Sequence, residues 1–258
     1  MSAYISKEEK LIPIDDPTGR WSELTLLPEW EEDIYDVYTV KKYGKWIMLK
    51  ALKEQYRDDP KYKAIIEKEF DIRYNLIHPN LVVVNDFDEV PGIGRAIITD
   101  DVYGYSLRRL IDEKRLTPKI IQRLTTQLPD VMEYIQENHI KHPPITPENI
   151  IFTEYNENLK LINVGYDHRD RLEHQDTKLD IINYGRLING VLDNLPEQLP
   201  KLRRVAKKAE DPEGSINNVQ QLKLALIERS QTSTMWMLLG FIIMMLGVLI
   251  AITLSLKS

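Results

Sequence analysis

His142-Pro-Pro-Ile-Thr-Pro-Glu-Asn149, continued by Ile150-Ile-Phe152, is the stretch that decides how this chain folds. Before it, Pro118 to Glu137 places Ile121, Leu124, Leu128, Met132 and Ile135 on one side of a helix. Pro129 lies inside that helix and is expected to kink or break it. After it comes a short apolar run. The octapeptide therefore reads as a loop joining a helix to a strand. Pro143 and Pro144 carry no acid or base, and they stiffen the backbone ahead of the strand.

Working outward, residues 1–20 show no clear period and contain the turn cluster Asp15-Asp-Pro-Thr-Gly19. Tyr35 to Val40 and Trp46 to Leu49 read as strands, joined by a turn at Gly44 and running into Lys50. Pro60 to Leu76, opened by Asp58-Asp-Pro60, reads as a helix with Ile65, Glu69, Ile72 and Leu76 on one face. A carboxylate in an apolar stripe is costly to bury, so Glu69 requires a cationic partner. Leu81 to Phe87 and Arg95 to Thr99 form two further strands about a Pro-Gly-Ile-Gly turn. Helices follow at Ser106–Glu113, at Pro118–Glu137, from Asp180, at Lys201–Lys208 and at Asn217–Arg229.

Lys50 at a strand end, Glu69 nineteen residues on, His78-Pro-Asn-Leu81, the frame of His142, Pro147 and Asn149, and the segment from Asp180 occur in an order that resembles the protein kinase family. The resemblance covers about residues 22–229 and rests on order and spacing. It implies an α+β, two-lobed kinase-like fold, with a small, mainly β N-lobe over 22–100 and a reduced, mainly helical C-lobe over 101–229. It also implies a nucleotide site. Lys50 stands where the family's lysine meets the α- and β-phosphates, paired to Glu69. Thr99 lines the back of the adenine pocket, and Asp100 and Val102 belong to the hinge. Asn149 stands at the magnesium-holding asparagine, and Asn163 replaces the metal-binding aspartate.

The departures from the family all remove chemistry. Pro144 occupies the position of the catalytic aspartate, and Thr146 that of the lysine which steadies the transferred phosphate. Asn163 offers magnesium a neutral carbonyl where the hard cation prefers an anionic oxygen. No glycine lies between Arg20 and Tyr43, so the phosphate cradle is replaced by Pro28-Glu-Trp-Glu-Glu-Asp-Ile-Tyr-Asp36. Glu29, Glu31, Glu32 and Asp33 there would repel a polyphosphate by several kcal/mol, as an order of magnitude, where partly buried. The fourteen or so residues between Gly165 and Asp180 leave no room for an activation segment ending in Ala-Pro-Glu.

The expectation is a catalytically inactive binding or scaffolding module with no catalytic residue and no resident cofactor, ATP and Mg2+ being at most weakly held. The alternative is a divergent ATP-binding serine/threonine kinase with weak transfer. Nucleotide binding without turnover lies between the two. A small-molecule phosphotransferase of the aminoglycoside-kinase type needs the same missing aspartate.

Composition sets the remaining bounds. With 29 % charged residues and no cysteine, a packed domain without disulfides or thiolate metal sites is expected. The five histidines are scattered, against a zinc site. Met235 to Leu256 is a run of 22 residues without a charge, roughly 33 Å as a helix and enough to cross a bilayer, with Trp236 placed as an interfacial anchor. With no apolar signal at the start, the expectation is a single-pass tail anchor over 235–256. Residues 1–21 are then an N-terminal segment, 230–234 a linker, and the bulk of the chain is cytoplasmic. Residues 201–258 carry eight Lys/Arg against four Asp/Glu, which leaves −10 on residues 1–200 of the total −6. Lys201, Arg203, Arg204, Lys207 and Lys208 suit either anionic lipid or a solvated helix face. The expected partners are proteins and the bilayer, with no nucleic acid, and Gly240 and Gly247 offer a weak signal for self-association.

Overall fold

The structure, a computed structural model, describes residues 10–140, 142, 144–162, 174–196, 198–227 and 244–245. Its contacts divide the chain into two compact units, residues 1–172 and 173–258.

The first unit is built on a six-stranded antiparallel sheet. Its strands are β1 (Lys10–Ile12), β2 (Trp21–Leu26), β3 (Tyr35–Lys42), β4 (Lys45–Leu52), β5 (Val84–Val90) and β6 (Gly94–Asp100), ordered β1-β2-β3-β4-β6-β5. The β3–β4 hairpin closes with Tyr43 at φ 52° and Gly44 at φ 80°, a two-residue turn that needs left-handed backbone at both positions. Both faces of β4 are covered, and for this reason its sequence lacks the polar alternation of a half-exposed strand. Ile47, Leu49 and Ala51 join Trp21, Leu24, Val40, Ala96 and Ile98 in one core. Its opposite face joins Tyr35, Leu52, Val84 and Ile97 to Ile66 of α1 (Pro60–Tyr74) in another.

Two elements escaped the sequence reading. β1 lies within residues 1–20, where no period was visible, and is short and exposed; β2 fell in a stretch given no element and is irregular, with Glu23 at φ 55° and a register shift between Ser22 and Thr25. The sheet therefore begins at Lys10, ahead of the expected boundary at residue 22. Leu81, expected in a strand, forms only a single parallel bridge to Leu161, and the strand begins at Val84. The buried line of α1 runs Ile66, Glu69, Arg73, Leu76, so the expected stripe is turned by one residue on either side of Glu69.

Beyond β6 the same unit continues with β7 (Gly104–Ser106), α2 (Leu107–Asp112), α3 (Pro118–Glu137), β8 (Ile150–Thr153) and β9 (Leu159–Leu161). The last three strands form a small sheet ordered β7-β8-β9. A Cβ at Gly104 would stand 2.2 Å from the Phe152 carbonyl oxygen, so only glycine allows β7 to approach β8. Ser106 and Thr117 cap α2 and α3 through their hydroxyls. α3 runs through Pro129 without the expected break. Proline in a helix interior costs about 3 kcal/mol, and each buried Leu, Ile or Met contributes about 1.5–3. Leu124, Leu128, Met132 and Ile135, all buried on the same helix, outweigh it.

The second unit holds α4 (His174–Asp193) and α5 (Pro200–Glu210), followed by a helical stretch over 219–227. α4 starts six residues before Asp180. Gly185 lies against α5 so closely that a Cβ would stand 2.4 Å from the Glu210 nitrogen. The residues from 163 to 173, which include Asn163, lie outside the described part. So does the apolar run 235–256, apart from Met244 and Met245, which are helical. Among the described residues no helix is long and apolar enough to cross a membrane.

Candidate functional site

The centre of the first unit is a buried ion cluster. Pairing of β4 with β3 and β6 sets Lys50 beside Val37 on one side and Ile97 on the other, facing α1. An ammonium between two β-branched residues is held only if carboxylates meet it. Two do. Lys50 Nζ donates to Glu69 Oε1 at 2.9 Å and lies 2.8 Å from Glu32 Oε2. It also stands 4.2 Å from the centre of the Tyr35 ring, a cation–π contact.

Glu69 is 1 % exposed. Burial alone would raise its carboxyl, but Lys50 and Arg73 outweigh burial and hold it below the usual carboxylate range. Arg73, one helical turn on, donates Nη1 to the same Oε1 at 2.9 Å. Tyr35, the neighbour of both acids, is pushed well above the ordinary phenol value, by burial first and by Glu69 second. The cluster thus carries two cations and two carboxylates, and Glu32, with its side chain 28 % exposed, is the member most open to water.

Glu32 comes from the β2–β3 connection, the place where a phosphate cradle would lie. A 3-10 turn at Pro28–Trp30 opens this connection, and Glu32 N–H then donates to Tyr35 O at 3.0 Å. Glu31 pairs with Lys53 at 2.5 Å. Two of the four acids in this connection are therefore spent on the sheet's own lysines. The sequence reading took them as diffuse repulsion. It missed that one of them lands on Lys50, and it missed Arg73, for which the (i, i+4) spacing from Glu69 was an available signal.

The other expected site residues are distributed unevenly. Thr99 pairs across from Met48 and so shares the Lys50 face, where it is buried. Asp100 pairs with Ile47 on the opposite face, and its carboxylate meets Lys45 at 2.9 Å. It faces away from Lys50. Val102 is half-buried in the connection to β7, beside Asp101, whose carboxyl burial pushes upward. Asn149 ends a 3-10 turn; its N–H donates to Thr146 O and its carbonyl accepts from Ile162 N–H, both at 3.1 Å. Its side-chain amide has no hydrogen-bond partner among the described residues. His142 is buried and Pro144 exposed. Asn163 falls outside the described residues.

A second anchor explains the His78-Pro-Asn80 turn. Asn80 Nδ2 donates to Leu159 O at 2.8 Å, Leu161 N–H donates to Asn80 O at 2.8 Å, and Val82 N–H donates to Leu161 O at 3.1 Å. Tyr134 of α3 packs at a tilt against the His78 ring, 5.0 Å between centroids, and accepts the Ile77 N–H at 2.9 Å. This turn ties the large sheet's α1–β5 connection to β9 and α3. Among the described residues no three His, Asp or Glu side chains gather as metal ligands.

The model of the protein kinase domain matches residues 34–178, more than half of the chain. The chain belongs to the protein kinase domain family. Among curated relatives, the kinase-domain sequence is 26 % identical over 122 residues to the serine/threonine-protein kinase PknD of Mycobacterium tuberculosis, covering 47 % of this chain and 18 % of that protein. It is 30 % identical over 147 residues to the probable serine/threonine-protein kinase gdt2 of Dictyostelium discoideum, covering 52 % and 9 %. The serine/threonine-protein kinase PkaA of Streptomyces coelicolor is 29 % identical over 112 residues, covering 43 % and 20 %. The chain thus spans a fifth or less of the length of these relatives. Among solved structures, the PknI kinase domain of M. tuberculosis superposes with a TM-score of 0.57 at 19 % identity, over 80 % of this chain and 96 % of that one. A double mutant of that domain gives 0.59 at 18 %, over 81 % and 97 %. At such identities the likeness concerns the fold alone, and it supports a two-lobed protein kinase fold with a β-sheet N-lobe and a helical C-lobe.

Proposed function

We propose that this chain is a pseudokinase, a kinase-fold module that binds or scaffolds a protein partner and transfers no phosphate. The contact between Glu32 and Lys50 at 2.8 Å carries this reading. In a working kinase the lysine uses its free donors on the α- and β-phosphates. Here a carboxylate of the chain itself takes that place, and a polyphosphate would have to displace it while approaching an acidic, glycine-free connection. The residues present do not fit a metal–nucleotide complex. Pro144 adds no base, and Asn163 adds no anionic ligand.

The competing reading is a divergent serine/threonine kinase with weak transfer. It is favoured by the intact Lys50–Glu69 pair and by the side-chain amide of Asn149, which has no hydrogen-bond partner among the described residues. Incubation of the purified protein with γ-labelled ATP and magnesium separates the two. We expect no label on the protein or on a generic substrate, and no thermal shift at millimolar ATP. Label that disappears in Lys50→Ala would establish the kinase reading. A thermal shift without transfer would leave a nucleotide-binding pseudokinase.

The module is, in the same proposal, held in a membrane by residues 235–256, with its bulk on the cytoplasmic side. The support is the absence of any charge over 22 residues, and the helical, exposed state of Met244 and Met245 within it. Resistance of the membrane-bound protein to alkaline extraction tests this part.

A further inference from the structure

α5 buries Leu202, Val205, Ala206 and Ala209 and turns a basic face outward. Arg203, Arg204, Lys207 and Lys208, with Asp193 and Asp211 at the margins, line a groove of about 860 Å³ between this face and the α4–α5 connection. The charges are unequal in what holds them. Arg203 Nη1 is tied to Asp193 Oδ1 at 2.7 Å. The Asp211 carboxylate accepts the Glu213 N–H at 3.0 Å. Arg204, Lys207 and Lys208 are exposed and have no carboxylate partner among the described residues. Their spacing of three and four puts all three along one stripe.

Among the described residues, none of these three cations takes part in an ion pair. A stripe of unpaired cations with a concave floor is complementary to several closely spaced anionic groups, and a leaflet of acidic phospholipid presents such an array. The sequence supplies the reason to choose this source. The uncharged run 235–256 begins 27 residues after Lys208, which limits how far α5 can stand from whatever surface that run enters.

We infer that the basic face of α5 is a docking surface for the phosphate headgroups of an anionic membrane, seating the second unit against the leaflet. The inference deepens the membrane reading above and rests on it. It assigns Arg204, Lys207 and Lys208 the binding role and leaves Arg203 a structural one. Lateral docking of this kind orients a module relative to partners in the same membrane, which attachment at one point alone does not.

The full chain, purified in detergent and reconstituted, tests it in two readouts. Flotation after an alkaline wash with vesicles of phosphatidylcholine alone reads the span. Protection of Lys207 and Lys208 from a water-soluble amine-acylating reagent, compared between phosphatidylcholine vesicles and vesicles containing one-third phosphatidylglycerol, reads the α5 face. Protection should appear only with the anionic vesicles and weaken as salt rises. In R204A/K207A/K208A, flotation should be unchanged and binding to the anionic surface should fall roughly fivefold per cation removed. K207R/K208R should keep the binding of the unsubstituted chain. Flotation that fails while salt-sensitive, α5-dependent binding to anionic vesicles persists would sink the span and keep the docking face. Equal modification of the lysines on neutral and anionic vesicles, or protection by poly-glutamate but not by vesicles, would overturn the inference.

Discussion

The ion cluster under α1 and the loop from His142 to Asn149 correspond to two halves of one kinase machine, and they have fared differently. The cluster keeps Lys50 and Glu69 at 2.9 Å and adds Arg73 and Glu32 around them. The loop keeps a backbone frame, with Asn149 N–H on Thr146 O and Ile162 N–H on Asn149 O, and in the pseudokinase proposal Pro144 and Thr146 stand where side chains would act. The difference follows burial. Removing one member of a buried pair leaves an uncompensated charge in the core, a loss of several kcal/mol whether or not any nucleotide binds. Pro144 is exposed, and an exposed aspartate leaves behind no such debt when it is replaced. A lysine–glutamate pair is therefore weak evidence for catalysis, while the content of the loop bears on catalysis directly.

The strongest way to break the comparison is to remove the acid at its centre. Glu69→Ala leaves Lys50 and Arg73 facing each other across a buried gap, and should destabilise the protein by about 3–5 kcal/mol in urea unfolding. Lys50→Ala leaves Glu69 with Arg73, and lets Glu32 turn to water; about 2–3 kcal/mol is expected. A substitution that inactivates a working kinase would thus act here first on stability, whether or not the chain transfers phosphate. If both variants unfold within about 0.5 kcal/mol of the unsubstituted chain, the structural account of the pair fails.

Acid provides a second test of the same cluster. The folded Glu69 carboxyl sits below its unfolded value of 4.5, so on acidification the unfolded chain takes up the proton first. The stability it contributes is complete above about pH 4.5 and drains away as pH falls through the lower folded value. In Glu69→Gln that segment of the pH–stability curve should flatten, leaving the slopes due to other carboxylates. An unchanged slope below pH 4.5 would show that Glu69 is not ionised in the fold.

How much of this was legible follows the same division. Motifs that depend on order along the chain were readable: Lys50, Glu69, the His78-Pro-Asn80 turn, and the Pro147 and Asn149 frame all fall where the family's order puts them. The sequence also placed Glu69 on a buried face, although the stripe around it was turned by one residue. Contacts between distant or irregular segments were not readable. Glu32 reaches Lys50 because a 3-10 turn at Pro28–Trp30 aims the connection, and no periodicity encodes that aim. β1 and β2 gave no alternating signal, being short in one case and bulged in the other. Pro129 does not break α3, because the buried core of that helix outweighs the local cost of the proline. Asp100 shows the limit of position alone, since strand parity sends its side chain to Lys45.

The smallest expected effect is the most informative about the loop. Pro144→Asp returns the missing carboxylate to an exposed position, and the loss of proline's stiffening of the unfolded chain should cost about 0.5 kcal/mol. Thr146→Lys beside it should leave the loop frame intact, because Thr146 contributes its backbone carbonyl to that frame. Neither change, nor both together, should bring transfer from γ-labelled ATP, since Glu32 still holds Lys50 and no cradle exists. Adding Glu32→Ala frees the lysine at a stability change below about 1 kcal/mol, as its side chain already reaches solvent. Nucleotide binding that appears only in the variants carrying Glu32→Ala would place the first barrier at the cluster. Transfer appearing in Pro144→Asp alone would mean that the loop was the whole defect, and that the contact between Glu32 and Lys50 yields to ATP.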